Sequence, residues 1–212
     1  QKGHYGVALA SKPEPLSVVR GYATDAGDAQ RRMIRGVYTF GDGTEITVFN
    51  GYFPQGESRD HSIKFPAKEA FYRDLLTTLE TEYTPSDQVV IMGDFNIAPV
   101  DHDIGITDDA KKRWLRTGKT SFLPEERAWF ERLIQWGLVD SWRSVHPEVS
   151  DRYSWFDYRS RGFEDDPKRG LRIDHILVSK PLMERMTDCG IDYALRAMDK
   201  PSDHCPVWIT LE

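Results

Sequence analysis

Val89-Val90-Ile91-Met92-Gly93-Asp94-Phe95-Asn96 is the stretch on which the reading of this chain turns. An apolar run without polar alternation describes a strand buried on both faces, so layers must cover both sides of its sheet. The run stops at Gly93 and is followed by Asp94 and Asn96. On an extended chain, side chains two apart point to the same side, which makes a carboxylate and a carboxamide project together from a strand end. Sheet rims of this kind hold ligand sites. The same residues also suit an Asx-rich turn.

Around this strand lie further short β-branched runs at Leu16–Val19, Ile34–Tyr38, Ile46–Asn50, Ile173–Val178 and Val207–Leu211. Asp42-Gly43 between the second and third predicts a hairpin. A first helix opens near Pro66 and carries Phe71, Leu75, Leu79 and Glu82 on one side, widened by Leu76 and Tyr83. A second starts at Pro124-Glu125-Glu126, carries Trp129, Phe130, Leu133, Ile134 and Trp136, and stops at Gly137. Strands interspersed with helices, without strict βα alternation, favour packed sheets with helices outside over a plain doubly wound sheet.

Four further segments carry chemistry. In Ile173-Asp174-His175-Ile176-Leu177-Val178, alternation places Asp174 on the apolar face, where a carboxylate needs a cation, a histidine or several hydrogen bonds. His175 falls on the other face and reads as structural. Pro201-Ser202-Asp203-His204-Cys205-Pro206 presents Asp203 and His204 on a proline-bounded loop, either as an acid–base or phosphorane-stabilising group or as a surface turn. Asn50-Gly51-Tyr52-Phe53-Pro54-Gln55-Gly56 shapes a rim loop whose Asn50, Tyr52 and Gln55 can reach a cleft, unless Tyr52 and Phe53 simply pack. Tyr153 through Gly162 interleaves aromatics with arginines, a composition suited to stacking beside phosphate contacts, or to a core strand with solvated arginines.

The 212 residues form one domain by length, with no repeat, low-complexity tract or linker. A hydrophobic share of 39%, a charged share of 29% and a mean hydropathy of −0.56 exclude disordered, collagenous and helical membrane classes. Two cysteines, Cys189 and Cys205, fit a reducing compartment, here the cytoplasm. The net charge of −6 argues at first against nucleic acid. Its distribution is uneven. Residues 1–110 hold 10 basic against 17 acidic groups, whereas residues 111–212 hold 18 against 17. Lys111, Lys112, Arg113, Arg116 and Lys119 crowd together, followed by Arg152, Arg159, Arg161, Lys168, Arg169 and Arg172. Each run is a solvated face or a phosphate-binding stripe.

Gly93-Asp94-Phe95-Asn96, Ile173-Asp174-His175 and Ser202-Asp203-His204 stand in the order of the endonuclease/exonuclease/phosphatase superfamily. Asn50–Asp60, Lys112–Ser121 and Ser154–Gly162 resemble more narrowly its exonuclease III family of bacterial abasic-site endonucleases, and the likeness runs from Gln1 to the C-terminus. The resemblance implies an α/β (α+β) four-layered sandwich of two packed mixed sheets with outer helices. It implies a Mg²⁺-dependent (or Mn²⁺-dependent) DNA phosphodiesterase that degrades duplexes from 3′ ends, incises abasic sites and clears blocked 3′ termini. The expected partner is double-stranded DNA, abasic or 3′-blocked, with no membrane and a monomeric enzyme. By the same resemblance Asp94 and Asn96 position and activate water, His204 stabilises the phosphorane, and Asp174 holds His204. Tyr52 lies near the scissile phosphate, and Asp94, Asn96, Asp203 and His204 hold the metal. Asn50, Gln55, Lys112, Arg113, Arg116, Lys119, Trp155, Phe156 and Arg159 contact DNA, with Trp155 and Phe156 lining the abasic-sugar pocket.

Members of the family begin with a strand bearing an early Asn, followed by a Gln-Glu segment whose Glu is a principal metal ligand. No such segment follows Gln1, so the expectation is a single domain over 1–212 that lacks N-terminal strands, binds Mg²⁺ weakly and turns over poorly. Competing readings are a phosphatase or sphingomyelinase-like member of the superfamily and a non-catalytic DNA-binding module.

Overall fold

The computed structural model describes residues 5–27 and 29–212. In chain order it contains β1 (Ser17–Arg20), β2 (Met33–Thr39), β3 (Glu45–Tyr52), α1 (Lys64–Glu82), β4 (Val89–Asp94), α2 (Asp108–Thr117), α3 (Pro124–Trp136), β5 (Leu138–Asp140), α4 (Ser141–Val145), β6 (Asp174–Ser179), α5 (Lys180–Met183), β7 (Met186–Ile191), α6 (Tyr193–Arg196) and β8 (Val207–Leu211). Six strands form a mixed sheet in the order β1-β2-β3-β4-β6-β5, and β7 and β8 form a second, antiparallel sheet. The predicted two-sheet architecture is present, the second sheet being two-stranded.

Local chemistry accounts for the main joins. The β2–β3 hairpin turns at Asp42-Gly43, where Gly43 takes a φ of 85° and the Asp42 carboxylate accepts the Thr44 N–H at 2.9 Å. β3 and β4 pair in parallel, as the intervening α1 requires.

The unalternating run of β4 has a direct cause. Val89 and Ile91 join Phe49, Leu75, Leu79, Phe130 and Leu133 in a core beneath α1 and α3. Val90 joins Ile46, Ile176 and Val178 in a core on the opposite face, covered by Leu182, Val207, Ile209 and Leu211. The strand is buried from both sides by different layers. Among the described residues, no helix is long and apolar enough to cross a membrane.

Three elements differ from the sequence reading. The basic run 111–119 lies mostly on α2, capped by Thr107 and ended by Gly118 in the left-handed region, with no buried residue. β5, at three residues, and β7 carry too little apolar pattern to be read as strands. Arg172 is no part of a solvated stripe. It is 1% exposed, with Nε 2.7 Å from Asp103 and Nη2 2.6 Å from Asp140.

Candidate active site

Strand register builds the floor of the site. Tyr52 at the end of β3 is opposite Asp94 at the end of β4, and Asp94 is opposite Asp174 at the start of β6. Three polar residues from segments far apart in sequence thus form one row at one rim. Gly93 permits this approach: its φ is 134°, and a Cβ there would lie 1.9 Å from the Gly51 carbonyl oxygen. Asn96 adopts a φ of 54°, which asparagine tolerates better than most residues. Its backbone N–H donates to Asp94 Oδ1 at 2.9 Å and its Nδ2 to Asp94 Oδ2 at 2.8 Å. Nδ2 also donates to the Phe53 carbonyl at 3.0 Å. The Asx turn and the functional strand end are therefore one structure, and a turn-based hydrogen bond rather than strand alternation joins the two side chains.

Asp174 holds His204: its Oδ2 and Oδ1 are 2.8 and 3.0 Å from Nδ1. Burial alone would lower the pKa of His204, but the hydrogen bond to Asp174 and that carboxylate's charge outweigh it and raise the pKa to about 9. The ring is a cation at neutral pH, with Nδ1–H on Asp174 and Nε2–H left for a ligand. Burial, followed by the charge of Asp174, raises Asp94 to about 7 against the opposing pulls of His204, the Asn96 N–H and Lys68. Burial and Asp94 also raise the Tyr52 phenol above its ordinary value, so Tyr52 enters neutral chemistry as a hydrogen-bond donor. The Arg32 guanidinium stacks 4.8 Å from its ring centroid.

Among the described residues, Asp94, Asp174 and His204 bring ligand atoms within 4.8 Å of one another. Two carboxylates converging at a half-buried rim, one of them resisting ionisation, fit a hard divalent cation that prefers oxygen ligands. Asp203 is not part of this cluster; its Oδ2 accepts the Trp155 indole N–H at 3.0 Å. Asp174, expected only to hold His204, stands inside it.

Above the floor opens a cavity of about 590 Å³, lined by Tyr52, Gln55, Asp94, Asn96, Arg113, Lys119, Trp155, Arg159, Asp203 and His204 among others. Four residues expected to contact DNA do not line this cavity. Phe156 is 0% exposed, enclosed edge-on by Tyr153, Phe163 and Tyr193, and cannot wall a sugar pocket. Asn50 donates its amide to the Ala8 carbonyl at 2.8 Å, off the cavity wall. Lys112 and Arg116 are exposed on α2 and do not line the cavity, whereas Arg113 does. His175 is structural as read, 1% exposed with Nε2 2.8 Å from the Ile97 carbonyl oxygen.

Arg169 of the second basic run also lines the cavity, as do Trp114 and Ser121, which were not singled out individually from sequence. Trp114 stacks on Phe122 with centroids 5.4 Å apart, and Lys119 Nζ sits 3.6 Å from its ring centroid. The spacing of Trp114 to Lys119, five residues across a glycine-stopped helix end, was the available signal.

Comparison with known proteins places this geometry. The description of the endonuclease/exonuclease/phosphatase family matches residues 1–204. Exodeoxyribonuclease III of Haemophilus influenzae is 60% identical over 208 residues, spanning 98% of this chain and 77% of that protein. An exodeoxyribonuclease of Bacillus subtilis is 30% identical across 98% of this chain and 74% of its own length. Among solved structures, the 3′ phosphatase NExo from Neisseria bound to product DNA hairpin superposes with a TM-score of 0.81 at 37% identity, covering 95% of this chain and 73% of that one. An AP endonuclease from Archaeoglobus fulgidus gives 0.81 at 31% identity, covering 94% and 72%. By sequence and by fold, the chain belongs to the endonuclease/exonuclease/phosphatase family.

Proposed function

We propose that this chain is a hydrolase of DNA phosphodiester bonds that works in DNA repair, as a 3′-to-5′ exonuclease, an abasic-site endonuclease and a remover of 3′-terminal blocks. The observation that carries the reading is the pairing of an acidic floor with a basic and aromatic wall in one cavity: Asp94, Asn96 and His204 face Arg113, Lys119, Trp155 and Arg159. Phosphate needs the cations, and an extruded sugar or base needs the ring. The negative net charge is no obstacle, since the cations that would meet phosphate are gathered on the cavity wall and two of the acids, Asp94 and Asp174, are committed to the floor.

Asp94 and Asp174 would hold a divalent cation, Mg²⁺ or Mn²⁺, which when bound neutralises charge on the phosphate oxygens. The chain's own groups account for the remaining chemistry. Asp94, oriented by Asn96, accepts a proton from the attacking water. Water adds to phosphorus in line with the departing ester oxygen, the P–O bond to that oxygen breaks, and the released alkoxide takes a proton from solvent. His204, kept cationic by Asp174, sets Nε2–H against the charge that grows on the phosphoryl oxygens. The Tyr52 phenol adds a second donor. The enzyme is proposed to act as a monomer and, with Cys189 and Cys205 free and buried, in the cytoplasm.

Nicking of a plasmid carrying abasic sites, run beside inositol phosphates, tests the reading. Slow incision of the DNA, in keeping with the expected weak Mg²⁺ binding, its loss with EDTA, its return with excess Mg²⁺ or Mn²⁺, and a drop of roughly 10²–10⁴-fold in His204→Asn at unchanged duplex affinity are expected. Turnover of inositol phosphates without DNA cleavage would replace it with the phosphatase reading.

A further inference from the structure

We infer that Lys68 and Glu126 are positioning residues for the reaction: a fully buried ion pair that ties the three loops bearing Gln55, Asn96 and Ser121 into one rigid cavity rim. The inference deepens the hydrolase reading and rests on it. Lys68 lies on the inward stripe of α1, four residues before Tyr72 and seven before Leu75, where an apolar side chain is the ordinary choice. Both members of the pair are 0% exposed, with Nζ and Oε1 2.5 Å apart.

An ammonium has three N–H donors, and each has an acceptor here. Besides Glu126, Lys68 donates to the Asn96 carbonyl at 2.9 Å and to the Gln55 carbonyl at 3.3 Å. The second carboxylate oxygen of Glu126 accepts the Ser121 and Leu123 N–H groups, both at 2.8 Å. The loops are also bonded to one another, Ala98 N–H to the Ser121 carbonyl at 2.6 Å and Gln55 Nε2 to Thr120 Oγ1 at 2.9 Å. Four of the five bonds made by the pair thus go to backbone groups outside α1, and they hold segments that line the cavity floor and wall.

Adhesion between the two helices does not account for the pair. Tyr72, Leu75, Trp129 and Phe130 already join them through an apolar core. Glu126 also caps α3 through the Leu123 N–H, a role that calls for no buried cation. A buried ion pair can be exchanged for packed apolar side chains at little or no cost in stability, so stability alone gives no reason for Lys68 at this place. Position does. The Asn96 side chain orients Asp94, and the Asn96 carbonyl is fixed by Lys68.

Two measurements test the inference. Amide hydrogen exchange of the parent chain is expected to show Ala98, Ser121 and Leu123 protected to within about a hundredfold of the β4 amides. Faster exchange than that overturns the clamp, and this arm stands even if the parent cleaves no DNA, a result that would instead remove the hydrolase reading. Steady-state cleavage of an abasic duplex by Lys68→Met/Glu126→Gln, which removes both charges and keeps an acceptor for Ser121 and Leu123, is expected to lose about 10²-fold in kcat with KM within about twofold. A kcat within about tenfold of the parent, or a loss confined to KM, overturns it. Should the double variant not fold, exchange in the parent decides.

Discussion

Trp155 and Phe156 are adjacent in sequence and opposite in role. The Trp155 indole is pinned by Asp203 on the cavity wall, and its backbone bridges to Leu171 and His204, while Phe156 closes a separate cluster with Tyr153 and Cys205. Trp155→Ala is therefore expected to weaken binding of an abasic duplex by about 1–3 kcal/mol with unfolding free energy nearly unchanged. Phe156→Ala is expected to cost about 3–5 kcal/mol of stability. Fluorescence anisotropy and urea unfolding on both variants check the pair, and the reverse pattern would return Phe156 to the substrate wall. Sequence showed that this stretch mattered and that neighbours on an extended segment face opposite ways, yet it held nothing to say which ring faces in. That is decided by Asp203, 48 residues away. The same separation hid Lys68 from Glu126, 58 residues on, and Arg172 from Asp103, 69 back. Asp94 with Asn96, and Asp203 with His204, were legible because each pair is held within a few residues of chain.

Elements were legible in proportion to the apolar surface they bury. β4 announced itself because both of its faces are covered, and α1 and α3 because each presents a stripe to the same core. α2 buries no residue, so it read as a run of charge, and the Thr107 and Gly118 that cap it in the structure went unread. Once the run is a helix, its cations separate by face: Arg113 lines the cavity, Lys119 follows at the helix end over Trp114, and Lys112 and Arg116 stand in solvent. Lys111 is engaged with Asp101 at 3.1 Å. Arg113→Ala/Lys119→Ala is accordingly expected to weaken duplex binding uniformly and to flatten the slope of log affinity against log salt by about 2, one for each phosphate that goes unneutralised. Lys112→Ala/Arg116→Ala is expected to change that slope by much less. Titrations between 50 and 200 mM salt (roughly the range in which such slopes are read) distinguish the two faces, and equal slopes for the two variants would mean that the helix meets DNA on another side.

At the scale of the whole molecule, the rim on which the site stands is held from beneath by a second buried charge network, around Arg172. Its guanidinium joins Asp103, which ends a short turn, to Asp140, which ends β5 and caps α4 through the Arg143 N–H at 3.0 Å. Arg143 adds its own bond to Asp103 at 2.5 Å, and His175 carries the chain of contacts on to the Ile97 carbonyl, just beyond Asn96. Burial by itself would raise the pKa of Asp140, but the Arg172 charge and the neighbouring His175 outweigh it and hold the carboxyl far below the usual carboxylate range. A depressed folded-state pKa means that ionised Asp140 stabilises the fold, fully so above the unfolded value of about 3.9 and progressively less as pH falls below it. Removing one member of such a pair leaves its partner buried and short of charge, at a cost of roughly 3–5 kcal/mol, a large part of the 5–15 kcal/mol typical of a domain. Asp140→Asn keeps the helix cap and removes the charge, so it should lose stability at pH 7 and be less sensitive to acid than the parent. Urea unfolding from about pH 7 to pH 3 is expected to show the two free energies converging below about pH 4, where the parent begins to protonate Asp140 in its unfolded state. Parallel curves across that range would mean that the network contributes shape without contributing charge-linked stability, and that the rim is held by packing alone.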